Sequence, residues 1–278
     1  MKKLIALMLA MMMVFALAAC GGSGNAAPAE EPAAEAPAEA PAAESDLAYL
    51  QDKGVLVVGI TDFEPMDYLD EEGSWIGFDA DMAKAFADSL GVAVEFVEID
   101  CDNKILELNS QAIDCVWNGM TLTAEVTSAM ECSNAYCNNA QVVIVPVDVA
   151  EDYQTVESLE GLVFAVEAGS AGEAEVEALG NEYNSVQNQA ATLLEVSAGT
   201  SDAAVIDSLM AAAMVGEGTS YENLTYTVGL NSEEYGVGFR TGSDLAAALN
   251  DFFAASYADG TMQAVAETYG VQAALIAQ

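Results

Sequence analysis

Apolar, β-branched runs alternate with amphipathic helical stretches, and this alternation constrains the chain more than any other feature. Residues 55–60 read Val-Leu-Val-Val-Gly-Ile, apolar almost throughout, as in a parallel strand covered on both faces. Met82, Ala83, Phe86, Ala87 and Leu90 recur at helical spacing and predict a helix over 79–90, with Asp79 placed as its N-cap and Gly91 ending it. A strand at 92–99, a helix at 102–110 and a strand at 113–117 complete a βαβαβ order, which implies a mostly parallel sheet. A second α/β run follows. It has strands at 140–146, 162–166 and 203–206, helices at 173–179, 190–198 and 207–215, and extended segments at 226–228 and 235–239. Helices at 244–257 and 261–269 close the chain. The second unit is entered and left through extended segments, so we expect two lobes, a two-strand hinge and a cleft between them.

The stretch Asp114-Cys115-Val116-Trp117-Asn118-Gly119-Met120-Thr121-Leu122-Thr123 sits where such a cleft would open. It starts as a strand, breaks at Asn118-Gly119 and ends on threonines that can begin a helix. In open α/β sheets ligands bind beyond the carboxyl ends of strands, and helix N-termini favour anions. The competing reading is an ordinary strand-to-helix connection.

The N-terminus reads as targeting sequence. Lys2 and Lys3 precede an apolar run that ends at Cys20-Gly21-Gly22, a secretory signal pattern. Leu17-Ala18-Ala19-Cys20 resembles the lipobox of bacterial lipoproteins, which implies cleavage after residue 19 and acylation of Cys20. Residues 23–45 contain Ala, Glu and four prolines but no aromatic or β-branched residue. Such a segment cannot bury enough apolar surface to fold, and reads as a spacer.

Charge and cysteine content narrow the function. Against 45 Asp and Glu stand 6 Lys and Arg, a formal net charge of −39. That excess argues against nucleic acid and anionic membrane surfaces as partners. The chain has no histidine, which removes His-based acid/base chemistry and His metal sites. No metal or cofactor is expected. Cys101, Cys115, Cys132 and Cys137 remain after the leader; Cys132 and Cys137 are close enough in sequence to consider as a pair, and Cys115 reads as a buried thiol.

Six segments in order carry a family likeness: Gly77-Phe78-Asp79-Ala80-Asp81-Met82-Ala83, Asn118-Gly119-Met120-Thr121-Leu122-Thr123, Ala168-Gly169-Ser170, Ala204-Val205-Ile206-Asp207, Gly236-Val237-Gly238-Phe239-Arg240 and Tyr257-Ala258-Asp259-Gly260-Thr261. Through them the chain resembles the type 2 periplasmic binding proteins, specifically the solute-binding family 3 components of polar amino acid ABC importers. The resemblance implies an α/β fold of two lobes. Its divisions would be a signal over 1–19, a lipidated Cys20 and linker over 20–45, lobe I over 46–139 and 230–278, and lobe II over 140–229. It also implies ligand contacts. Phe63 would pack on the ligand, with Trp117 as a neighbour or as plain core. Asn118, Gly119 and Thr121 would form the first-lobe loop, and Gly169 and Ser170 the second. Asp207 would pair with an α-ammonium group or cap its helix.

Departures from the family pattern matter as much. The arginine that usually clamps the α-carboxylate is replaced by Val126, and Arg240 is the single arginine in the chain. Lys104 is the candidate substitute, against a surface lysine paired with Glu107 or Asp100. Lys53 and Lys84 read as solvated. Cys101 stands where a second aromatic is common, and Ala171 where a threonine is. Glu167, immediately before the second loop, is an added candidate contact, and Asn139 and Gln141 flank the hinge as neutral hydrogen bonders. Asp62, Glu64 and Asp67 add acid nearby, so an amine-bearing ligand is an alternative to an amino acid. The expected function is a membrane-tethered, monomeric binding component that passes a small polar solute to ABC permease subunits. The competing classes are a dehydratase-like enzyme and a ligand-presenting sensor on the same fold.

Overall fold

The computed structural model describes residues 45–278; the leader, Cys20 and most of the spacer lie outside the described residues. Two five-stranded sheets organise the protein. The first runs in the order Ala93–Glu98, Val55–Ile60, Cys115–Val116, Gly238–Phe239 and Glu131–Cys132. The second runs Glu182–Val186, Val163–Glu167, Ala203–Asp207, Gln141–Pro146 and Leu224–Gly229. Pairing is parallel where the chain winds strand-helix-strand, as in Val55↔Ala93 and Tyr183↔Phe164. It turns antiparallel where the chain crosses between lobes, as in Ala204↔Ile144 and Gly238↔Val116. The crossing segments Cys137–Asn139 and Glu233–Tyr235 pair with each other, forming the two-strand hinge.

Each central strand is buried because helices cover it. Val58 and Ile60 pack with Met82, Ala83 and Phe86 of the helix Phe78–Leu90, and Trp117, Tyr136 and Phe253 fill the space towards the C-terminal helices. The N-cap of the helix Phe78–Leu90 lies two residues earlier than the sequence suggests. Gly77 is its N-cap, because a Cβ there would lie 2.1 Å from the Met66 carbonyl oxygen. Asp79 is therefore not a cap. It is fully buried, and its Oδ2 accepts from the Gly119 N–H at 2.6 Å and the Tyr136 hydroxyl at 2.7 Å.

Two further expectations change. Lys53 is not solvated but bonds Asp114 at 2.9 Å, and Asp114 also accepts from the Val57 N–H. Arg240 joins this group by approaching Asp114 Oδ1 at 3.8 Å, and also bonds Asp46 and the Ile113 carbonyl; it is not among the residues lining the cavity between the sheets. All four described cysteines are free thiols. Cys132 pairs in register with Gly238, whereas Cys137 lies opposite Tyr235, so the two are carried onto different strand pairs. No described helix is long and apolar enough to cross a membrane.

Candidate functional site

A cavity of about 290 Å³ opens between the sheets at the carboxyl ends of their strands. Its first-lobe wall comes from Thr61, Asn118, Gly119 and Thr121, with Cys101, Lys104 and Val126 beside them; its second-lobe wall comes from Gln141, Glu167, Gly169, Ser170, Gln189 and Asp207. Loop geometry explains both walls. Gly119 and Gly169 take left-handed conformations, φ 62° and 73°, which turn each chain sharply from strand to helix. Thr123 and Ser170 then cap the following helices, accepting from the N–H groups of Val126 and Glu173.

Asp207 is the centre of a buried network. Its Oδ1 accepts from the side-chain amides of Asn139 and Gln141, and its Oδ2 from that of Gln189. Gln189 also accepts from the Asp207 N–H at 2.8 Å. Asn139 and Gln141 reach across to Glu233 Oε1 as well, at 2.7 and 2.8 Å, and the Thr121 hydroxyl joins them at 2.8 Å. One carboxylate on the hinge strand and one at the end of a second-lobe strand are thus held by shared amides. Burial and the charge of Glu233 push the Asp207 carboxyl up to about 8. Glu167 is also buried, with Oε1 unpartnered, and burial and the charge of Asp207 raise it to about 8 against the pull of Lys104.

Lys104 bridges the lobes. Its ammonium donates to the Cys101 carbonyl at 2.9 Å, to Cys101 Sγ at 3.4 Å and to the Gly169 carbonyl at 2.8 Å. An ammonium has three protons, so all are engaged, and Lys104 pairs with neither Glu107 nor Asp100. The lobes meet closely here, since a Cβ on Gly169 would lie 2.5 Å from Asp102 Cα.

The family model for bacterial extracellular solute-binding proteins, family 3, matches residues 56–272. The chain belongs to this family. Among relatives, it is 29% identical to the arginine-binding extracellular protein ArtP of Bacillus subtilis over 76% of this chain and 75% of that one. It is also 29% identical to a probable histidine-binding protein of Neisseria gonorrhoeae, over 88% of this chain and 86% of that one. Among solved structures, an ABC uptake transporter substrate-binding protein from Streptococcus pneumoniae with bound histidine superposes with a TM-score of 0.75 at 28% identity, covering 83% and 98% of the two chains.

The site residues expected from the sequence divide into two groups. Asn118, Gly119, Thr121, Lys104, Glu167, Gly169, Ser170 and Asp207 all line the cavity, and Gln141 joins them. Phe63 and Trp117 do not. Phe63 turns inward beneath Gly119 and meets the Tyr235 ring edge-on at 6.2 Å, tied by its N–H to the Asp67 carbonyl. Trp117 packs between Phe86 and Phe253 in the core. Asp207 begins a helix but makes no side-chain cap bond. Asp67 is fully buried rather than in the cleft. The sequence reading missed Gln189, Glu233 and Thr61. Gln189 starts an amphipathic helix like any other, and its proximity to Asp207 arises only from folding.

Proposed function

We propose that this family 3 solute-binding protein is the capture component of an ABC importer, and that it closes two lobes around a small polar solute of the amino-acid class, either an amino acid or a derivative. The observation that carries this reading is the cavity itself. Its lining residues come from both lobes, and the presence of Asp207 and Gly119 among them supports the reading. Relatives named for arginine and histidine support the solute class. The function is binding without chemistry: closure buries the solute and presents a changed surface to permease subunits, a population shift driven by differential affinity. We further propose cleavage after residue 19, acylation at Cys20, a linker over 20–45, lobe I over 46–139 and 230–278, and lobe II over 140–229. The monomer would then be tethered on the extracellular side of the membrane. A thermal-shift panel of amino acids, their amides and their decarboxylated amines tests the reading. A ligand at 100 times its Kd adds about 2.7 kcal/mol, a Tm rise of roughly 5–10 °C in a domain of this size. No shift with any member of the panel would overturn it.

A further inference from the structure

Donors and acceptors in the cavity are unevenly committed. Three of the loop donors are taken by the protein itself, the Gly119 N–H by Asp79, the Gly169 N–H by Glu173 Oε2 at 2.7 Å and the Thr121 hydroxyl by Glu233, which leaves neutral hydroxyls such as Ser170, itself an acceptor from the Glu173 N–H, as the uncharged donors on the wall. Lys104 spends its protons on Cys101 and Gly169. Val126, at the family's arginine position, is 4% exposed and packs with Met120 and Met130. Glu173 places a negative charge at the first turn of the helix Ala171–Leu179, where the helix end would otherwise attract an anion.

Acceptors remain open. Glu167 is 3% exposed and Asn118 7%, both line the cavity, and neither Glu167 Oε1 nor Asn118 Oδ1 has a partner. The charged side chains on the wall are Glu125, Glu167 and Asp207 against the committed Lys104. A ligand carboxylate entering here would be desolvated beside two acids with no free cation, a costly arrangement. A protonated nitrogen would supply the donors that Glu167 and Asn118 lack and would favour the ionised form of the buried acid it meets.

Resting on the proposed reading of this cleft as a solute site, we infer that it selects a small cationic amine or guanidine lacking a carboxylate, with Glu167 as the specificity-determining residue and Asp207 as the second acid. This chemistry corresponds to a decarboxylated basic amino acid.

The test is a set of matched calorimetric titrations: agmatine against arginine, and cadaverine against lysine. We expect each amine to bind at least tenfold more tightly than its parent. Glu167→Gln is expected to weaken amine binding at least tenfold, with an unfolding transition that remains cooperative, and Val126→Arg is expected to narrow or reverse the preference. Tighter binding of the parent amino acids would overturn the inference while leaving the importer reading in place. Failure of amines and amino acids alike would overturn both. If Glu167→Gln proves unfolded, Glu167→Asp serves instead; undiminished amine affinity in a folded variant would remove Glu167 from the role.

Discussion

Gly119 and Gly169 occupy equivalent turns in the two lobes, yet they are held in place differently. Both are left-handed, and both have their N–H groups capped by a carboxylate of the chain. Gly119 is locked from within its own lobe, by fully buried Asp79 and by Phe63, whose Cε1 would lie 2.4 Å from an added Cβ. Gly169 is held by half-buried Glu173, and its close neighbour is the backbone of Asp102 on the opposite lobe. The first loop is a fixed floor, whereas the second completes its surroundings only when the lobes are together. A binding protein that works by closure needs both: a preformed wall costs no ordering on binding, and a wall defined by contact reports whether the cleft is shut.

The largest expected effect comes from breaking the floor. Gly119→Ala combines a left-handed strain of about 1–2 kcal/mol with overpacking against Phe63 of about 1–3 kcal/mol. We expect the ligand-free Tm to fall by roughly 5–15 °C in thermal denaturation. A near-unchanged Tm would show that the floor yields. Gly169→Ala should behave differently. Its Cβ meets Asp102 Cα at 2.5 Å and Asp102 N at 2.7 Å, across the cleft, where backbone cannot step aside. Only the strain of about 1–2 kcal/mol falls on the lobe itself, so the variant stays folded while losing closure. Small-angle scattering should find it open under conditions that close the wild type, and ligand affinity should drop at least tenfold. Equal effects of the two substitutions on Tm and on affinity would dissolve the distinction between the loops.

A smaller effect concerns pH. Burial raises Asp79 to about 7, and burial together with acidic neighbours raises Glu167 and Asp207 to about 8. Around Glu167 and Asp207 the facing groups are Lys104, Cys101, Glu233 and Tyr235; around Asp79 they are Asp67, Tyr136 and Cys137. Between an unfolded pKa near 4 and these folded values, the native state binds more protons than the unfolded one. Stability therefore falls as pH rises from about 4 to about 8. Denaturant titrations of the ligand-free domain should show this slope, and Glu167→Gln should flatten part of it. An amine needs the ionised acids, so its affinity should rise over the same range, with proton release in calorimetry. Stability that climbs with pH in this window would contradict the assigned environments.

The sequence carried the fold where local signals were strong and lost it where partners lie far apart. The strand Val55–Ile60 announced itself by composition, and Thr123 as a threonine that can begin a helix. The strand Glu182–Val186 did not, because it is an edge strand of mixed exposure, reading Glu-Tyr-Asn-Ser-Val. Asn139 and Gln141 were legible as neutral hydrogen bonders flanking the hinge, but not their shared hold on Asp207 and Glu233. The role of Asp79 was not, since the same aspartate in the same motif suits a helix cap equally well; only the approach of Gly119 and Tyr136 decides it. Phe63 illustrates the converse. An aromatic in a cleft-side loop is a sound expectation, and one inward turn at Asp67 places the ring under the floor instead of on it.

The most direct test of the account is a crystal structure of residues 45–278 with agmatine or cadaverine bound. We expect a ligand nitrogen within hydrogen-bond distance of the Glu167 carboxylate, a second contact at Asp207, and Lys104 still on the Gly169 carbonyl. A ligand that instead avoids Glu167, or a co-purified amino acid whose carboxylate sits on Lys104 or the Gly169 N–H, would contradict it.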